Sequence, residues 1–230
     1  MHRAAGLRPR RRDLPEPELV GLQDDPWSLH VAQPDEVAAA KMLEHDVFVA
    51  EGFCEPSSQG VIDGYEHLNA QSQWYAAHTE EVVVGVLRVM ESGPSQVPAL
   101  ASFVVAGDVR SELAERRFQE VGTLAISPPY RGTDVALHLY RAAFRAAVEG
   151  GVSVWLAVVE VWLLEHLQGL GFPFRQISES RYYMGGECLA ASMSFDEARL
   201  DLGSKDLKLY QWITRGLYAD EEDDSDDVFA

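Results

Sequence analysis

FQEVGTLAISPPYRGTDVALHLYRAAFRAAV, from Phe118 to Val148, decides the reading of the chain. Gln119 to Ser127 is short, half apolar and closed by Pro128 and Pro129, which cannot donate to a ladder, so it reads as a strand ending there. A helix follows, because Val135, Leu139, Ala142, Ala143 and Ala146 recur at three- and four-residue steps and Thr133 or Asp134 can cap its first turn. Between them, Tyr130-Arg131-Gly132-Thr133-Asp134 forms a small-residue turn opening a helix. Such a turn aims free backbone N–H groups, at the positive end of the macrodipole, at an arriving anion, and Gly132 lets that anion approach closely. The stretch predicts a phosphate cradle.

Strand, turn and helix resemble motif A of the GNAT acyltransferase superfamily, whose loop R/Q-x-x-G-x-G/A grips the pyrophosphate of acyl-CoA. Arg131 and Ala136 match its first and last positions, and Asp134 stands where the central glycine is expected. The resemblance makes Arg131, Gly132, Thr133, Asp134, Val135 and Ala136 the expected donor-binding residues. It also implies a sheet whose motif A strand and next strand splay apart, with the donor's pantetheine arm in the gap.

Working outward, Pro34 stands at the expected first position of a helix whose apolar face is Val37, Ala40, Leu43 and Val47, ending near Gly52. Polar, turn-rich sequence to Gly64 has the length of a mobile loop over a site. Gln73 to His78 and Val82 to Met90 read as a hairpin that carries Arg88. Val152 to Val159 is a continuous apolar, β-branched run, the pattern of a strand buried on both faces, and Val161 to Gln168 is a short helix broken by Gly169 and Gly171. Phe174 to Ser178 and Glu187 to Met193 are further strands, and Leu207, Tyr210, Ile213 and Leu217 mark a last amphipathic helix.

The order of these pieces narrows the resemblance. A helix ending V-F-x-x-E-G, then D-x-Y-E, a hairpin ending V-V-G-x-L-R, a short strand with Phe103, and F-Q-E before motif A resemble the acyl-homoserine-lactone synthases. They are still more similar to the long-chain N-acyl amino acid synthases, over residues 34 to 198. In lactone synthases arginines lie one turn before the phenylalanine of the first helix and three residues after the strand glutamate. Here those places hold Glu44 and Thr123. The resemblance therefore implies an amino acid or other small amine as acceptor in place of S-adenosylmethionine. The helix before L-G-F in ordinary acetyltransferases commonly carries a tyrosine that protonates the leaving thiolate; that position is Leu167.

The expected architecture is an α+β, α/β/α layered GNAT fold: a mixed, mostly antiparallel sheet of about seven strands with a splayed central pair, flanked by helices. A chain of 230 residues that is 47% hydrophobic suffices for one sizeable core, placed at 26–218 between a flexible basic tail (1–25) and an acidic tail (219–230). Seven acids in 220–230 and five arginines in the first twelve residues leave −16 of the −18 net charge on residues 13–219, so the body itself is acidic. Such a surface repels nucleic acid and anionic lipid. No uninterrupted apolar run is long enough for a membrane span, and Cys54 and Cys188 read as reduced thiols in a cytoplasmic protein with no metal implied. Arg110, Arg116, Arg117, Arg131, Arg141 and Arg145 bracket the cradle in sequence, a landing area for an acyl carrier protein.

Acyl transfer to an amine needs a neutral nitrogen, an adjacent thioester, and donors facing the developing oxyanion. Backbone N–H groups at Leu124, Ala125 and Ile126 can serve the last need. Glu120 is the expected base: it is the acid on that strand, matches the family glutamate, and by simple alternation shares a face with Gly122, Leu124 and Ile126 unless a β-bulge reverses the parity. Its alternative role is a buried ion pair with Arg88. The acceptor mouth is assigned to Asp63, Tyr65, Glu66 and Phe103, with Arg88 holding an acceptor carboxylate bidentately. Trp155, Trp162, Phe172, Phe174 and Met193 are available either as walls of an acyl tunnel or as core. His78, His138 and His166 have no triad-like company.

The expected activity is N-acyl transfer from acyl-carrier-protein phosphopantetheine or acyl-CoA as donor substrate, with no tightly bound cofactor. The alternatives are an inactive GNAT-like module that only binds an acyl donor, and a CoA-dependent N-acetyltransferase.

Overall fold

The computed structural model describes residues 27–62, 65–79, 82–91, 93–215 and 217. Both expected tails and Asp63 lie outside the described residues. Eight strands form one sheet: β1 (Ser28–Val31), β2 (Ser72–His78), β3 (Val83–Met90), β4 (Phe118–Ile126), β5 (Val154–Glu160), β6 (Arg175–Gln176), β7 (Arg181–Tyr183) and β8 (Gly186–Ser194). Their order is β1-β2-β3-β4-β5-β8-β6, with β7 also on β8. Only β4 and β5 run parallel.

Helices cover both faces. On one, α1 (Val37–Glu51) packs Ala40 and Val47 against Trp74, Ala76, Val86 and Ala125, while α2 (Pro98–Ala101) and α3 (Gly107–Ala114) pack on Val154, Leu156 and Ala190. On the other, α4 (Val135–Glu149), α5 (Val161–Gly169), α6 (Phe195–Lys205) and α7 (Leu207–Thr214) close the largest core cluster with Leu87, Val121, Trp155 and Met193. Of the expected apolar stripe of α4, Val135, Leu139 and Ala143 are buried and Ala142 and Ala146 half-buried, and the buried face turns to include Phe144 and Ala147. Gly151, at φ +69°, stops the helix: its N–H reaches Val148 O at 3.0 Å and Val152 N–H reaches Ala147 O at 2.9 Å, satisfying the last carbonyls.

Several expectations are corrected. Helix α1 begins at Val37, since residues 34–36 form a turn, and the expected strand around Phe103 is a loop with one isolated bridge, Val105 to Ser178. The main correction concerns β4. Leu87 pairs with Leu124 but Val89 with Val121, so Gly122 and Thr123 together oppose Arg88. This bulge reverses the parity of the strand. Glu120 therefore shares the α1/α2 face with Thr123 and Ala125, whereas Leu124 and Ile126 face α4.

Candidate functional site

Strands β4 and β5 part company almost at once. Their pairing is confined to Phe118↔Val154, Gln119↔Trp155 and Glu120↔Leu156. Beyond it, β4 stays on β3 out to Ile126 and β5 stays on β8 out to Glu160, so each strand is held by its outer edge while the inner edges diverge. Alternate residues of an antiparallel strand turn their N–H and C=O groups away from the partner, and within Leu124 to Ile126 those groups face the opening.

The loop after β4 closes one end of the opening. Arg131 N–H reaches Pro128 O at 3.3 Å, Thr133 N–H reaches Tyr130 O at 3.4 Å and Val135 N–H reaches Thr133 Oγ1 at 3.5 Å, all long contacts. Among the described residues no partner is recorded for the N–H groups of Gly132, Asp134 or Ala136. Gly132, at φ +80°, is a backbone that a side chain would strain.

Asp134, at the N-cap of α4, makes no capping bond with its side chain, and Thr133 Oγ1 offers only the long contact to Val135 N–H. The carboxylate of Asp134, the departure from motif A, is instead drawn off to one side, where Oδ1 accepts from Trp27 Nε1 at 2.9 Å and Oδ2 lies 3.3 Å from His138 Nε2. His138 thus has a carboxylate partner one helical turn back, at the i,i+4 spacing that makes side chains neighbours on a helix. Arg131 is committed within the protein as well: Nε donates to Ile126 O at 3.2 Å and an Nη to Glu51 Oε1 at 2.6 Å, tying the loop to the end of α1.

On the α1 face of the bulge lies a buried polar centre. Arg88, 1% exposed, donates through Nε to Ser72 Oγ at 2.8 Å and through Nη2 to Tyr65 O and Asn69 Oδ1, both at 3.1 Å. Its guanidinium carbon lies 4.9 Å from the Trp74 ring centroid and 5.3 Å from that of Tyr65. The counter-charge is Glu44 of α1, whose Oε2 lies 3.8 Å from Nη1 and whose Oε1 accepts from the Thr123 hydroxyl. Burial pushes the Glu44 carboxyl up, against the opposing pull of Arg88 and Thr123. With its fork spent in this way, Arg88 has no free pair of donors for an acceptor carboxylate, which corrects that expectation.

Glu120 sits beside this centre, not paired with Arg88. Its Oε2 accepts from Ala99 N–H, at the start of α2, at 2.8 Å. Burial raises its pKa to about 8, an effect that the Ala99 N–H and the Arg88 charge only partly offset. At neutral pH a carboxyl of that kind is mostly protonated yet within reach of ionisation, the property a proton acceptor near pH 7 needs.

Tyr65 connects the carboxylate centre to the expected acceptor side. Its hydroxyl lies 3.2 Å from that of Tyr183 on β7, and the Tyr183 ring meets Phe103 edge-on at 5.3 Å. The structure therefore gathers Tyr65, Phe103 and Glu120, adds Glu44, Thr123 and Tyr183, and leaves Glu66 exposed at the start of the 3₁₀ turn Glu66–Gln71. Tyr183 precedes Met184-Gly185-Gly186, a turn signal that draws attention away from it.

The arginines and the aromatic set take the structural one of their alternatives. Arg117 donates to Glu91 at the start of β4, and Arg131 binds Glu51 past its end, with a nine-residue strand of about 30 Å between them. Arg110 bonds the carbonyls of Leu100 and Phe103, and Arg116 reaches Glu112 and Asp196, so the six arginines form no single patch around the cradle. Trp155, Phe172, Phe174 and Met193 are core, while Trp162, 40% exposed, donates to Glu160 Oε2 at the end of β5. Leu167 is buried, so α5 offers no acid there for a leaving thiolate. Among the described residues no helix is long and apolar enough to cross a membrane.

The profile of the family N-acyl amino acid synthase FeeM matches residues 39–196. The structure of FeeM, an N-acyl amino acid synthase from uncultured soil microbes, is similar at a TM-score of 0.65 and 15% identity, covering 79% of this chain and 97% of that one. The CoA-dependent acyl-homoserine lactone synthase BjaI is similar at a TM-score of 0.57 and 20% identity, over 76% of this chain and 82% of that one. For the acyl-homoserine-lactone synthase LasI the figures are 0.59 and 14%, over 77% and 95%. At such identities these are likenesses of fold. No curated protein sequence matches.

Proposed function

The chain belongs to the N-acyl amino acid synthase FeeM family, and from that premise we propose that it moves a fatty acyl group from a carrier-protein or CoA thioester to the amine of an amino acid or similar small acceptor. That it is an acyltransferase follows from the family; the donor, the acceptor and the roles of the residues are our reading. One observation carries it: β4 and β5 stop pairing after Glu120↔Leu156, beside a loop whose amides are weakly engaged.

In this reading the pantetheine arm enters the opening as an added strand, pairing with the inner edges of β4 and β5, and its phosphate meets the N–H groups of Gly132, Asp134 and Ala136. The thioester carbonyl then lies near Leu124 to Ile126. The acceptor enters from the side of Tyr65, Tyr183 and Phe103, with exposed Glu66 drawing its ammonium group inward. Glu120, when ionised, takes a proton from that ammonium, directly or through water. The neutral nitrogen attacks the thioester carbon, forming the C–N bond, and strand N–H groups stabilise the oxyanion. Collapse breaks the C–S bond. The nitrogen gives up its second proton as the thiolate leaves and is protonated.

Incubation with acyl thioesters on carrier protein and on CoA, in the presence of pooled amino acids, tests this by mass spectrometry. N-acyl product should accumulate in step with released thiol, and the faster of the two donors identifies the carrier. Donor binding without thiol release, or thiol release without an N-acyl product, contradicts the proposal.

A further inference from the structure

At the far edge of the sheet three metal-ligating side chains converge. In the pairing of β1 with β2, His30 lies opposite Ala76 and Ser28 opposite His78, which places the two histidines diagonally on one face. Their rings stack at 4.6 Å with planes 8° apart. Glu36, in the turn immediately before α1, reaches between them. His30 Nε2 lies 2.9 Å and 2.8 Å from its two oxygens, and His78 Nε2 lies 3.6 Å from Oε1. One ligand atom from each residue falls within 4.8 Å of the other two.

Hydrogen bonding alone leaves this cluster incomplete. His30 and the Gln33 N–H satisfy the Glu36 carboxylate. His78 Nε2 is buried, has no hydrogen-bond partner among the described residues, and stands too far from Glu36 to make one. An ion between the three would supply the missing bond, because metal–nitrogen and metal–carboxylate bonds of about 2.0–2.2 Å bring ligand atoms to separations near those seen here. Two imidazoles and one carboxylate suit a borderline divalent ion, whereas Ca²⁺ and Mg²⁺ call for oxygen ligands.

We propose that His30, Glu36 and His78 bind one divalent transition-metal ion of the Zn²⁺ class, with water completing the coordination, and so clasp the edge strands β1 and β2 to the start of α1. The rings must turn out of their parallel stack to aim both nitrogens at one ion; His30, on the edge strand with its side chain 38% exposed, has room to do so. The site does not depend on the acyl-transfer reading. It lies at the opposite end of α1 from Glu51, which ties that helix to the cradle loop.

The untagged full-length chain titrated with Zn²⁺, and with Co²⁺ as a spectroscopic probe, tests this alongside two variants: His30→Ala at the exposed edge and Glu36→Gln, which keeps the side chain's shape. Folding of each is checked by circular dichroism. The wild type should bind one ion, give visible Co²⁺ d–d bands, and show a higher melting temperature with Zn²⁺ that Mg²⁺ does not reproduce. Each variant should bind more than about tenfold more weakly, since even outer partners of metal ligands cost that much. Absence of saturable binding by the wild type overturns the proposal, as does equal affinity in the folded variants, which would place the ion on other histidines.

Discussion

The hydroxyl of Thr123, on the bulge of β4, donates to the carboxylate of Glu44 on α1, joining two residues that are 79 apart in sequence. The lactone synthases that this chain resembles carry arginines at both places, and here the pair is mutually satisfied and closed against Arg88. S-adenosylmethionine should therefore be neither consumed nor protective. A thermal-shift titration and a turnover assay check this; a shift comparable to that given by the acyl donor would contradict it.

Removing Glu44 should be costly. Glu44→Ala leaves the Arg88 guanidinium, 1% exposed, without its counter-charge, and an uncompensated charge of this kind costs about 3–5 kcal/mol. Urea unfolding should show that loss. The double variant Glu44→Ala/Arg88→Met should lose less than the sum of its parts, because the stranded charge goes with Arg88.

Glu120→Gln should lower kcat by roughly 10²–10⁴-fold while donor binding persists. The wild-type rate should rise with pH toward about 8, the raised pKa of this carboxyl, and the variant's rate should not follow that profile. Stability runs the other way. A pKa raised on folding means that the protonated form favours the native state, so this contribution is complete below about 4.5 and is lost as pH rises through about 8. Melting temperature against pH should fall across that window in the wild type relative to Glu120→Gln; parallel curves would show that Glu120 is not the titrating group.

Gly132→Val should act on the donor. At φ +80° a β-branched residue strains the loop by about 1–3 kcal/mol, which moves the N–H groups offered to the phosphate. The KM for acyl thioester should rise about tenfold, with a smaller change in kcat. Unchanged donor affinity would remove the loop from the binding site.

Gly185→Ala should disturb the acceptor side. Gly185 sits at φ +80°, and a Cβ there would run into the carbonyl oxygen of Gly52, just past the end of α1. Backbone strain alone costs about 1–3 kcal/mol. The variant should melt lower and, if it folds, show a raised KM for the amine, because Tyr183 lies two residues away against Tyr65.

Much of the frame was legible in the sequence because it is written in local periodicity. The strand-like runs of β2 and β3, the apolar run of β5 and the helical period of α4 each depend on near neighbours, and each element appears within a residue or two of its expected place. Helices α2, α3 and α6 and strands β1 and β7 are short or weakly patterned and leave no periodic signal, and the run around Phe103 looks β-like yet lies in a loop. Glu120 could be picked out as the acid on the strand before the cradle. Its surroundings could not: Glu44, Thr123 and Tyr183 come from distant segments, and Asp134 finds Trp27 across 107 residues.

The sequence by itself determined the strand–turn–helix unit from Phe118 to Glu149 and the acidic residue on its strand, because both follow from side-chain order along a few turns of backbone. Tertiary structure alone decided which face Glu120 occupies and which charge Arg88 answers. The bulge at Gly122 and Thr123 exists only in the pairing of β4 with β3, and the pKa of Glu120 is set by the helices that exclude water from it.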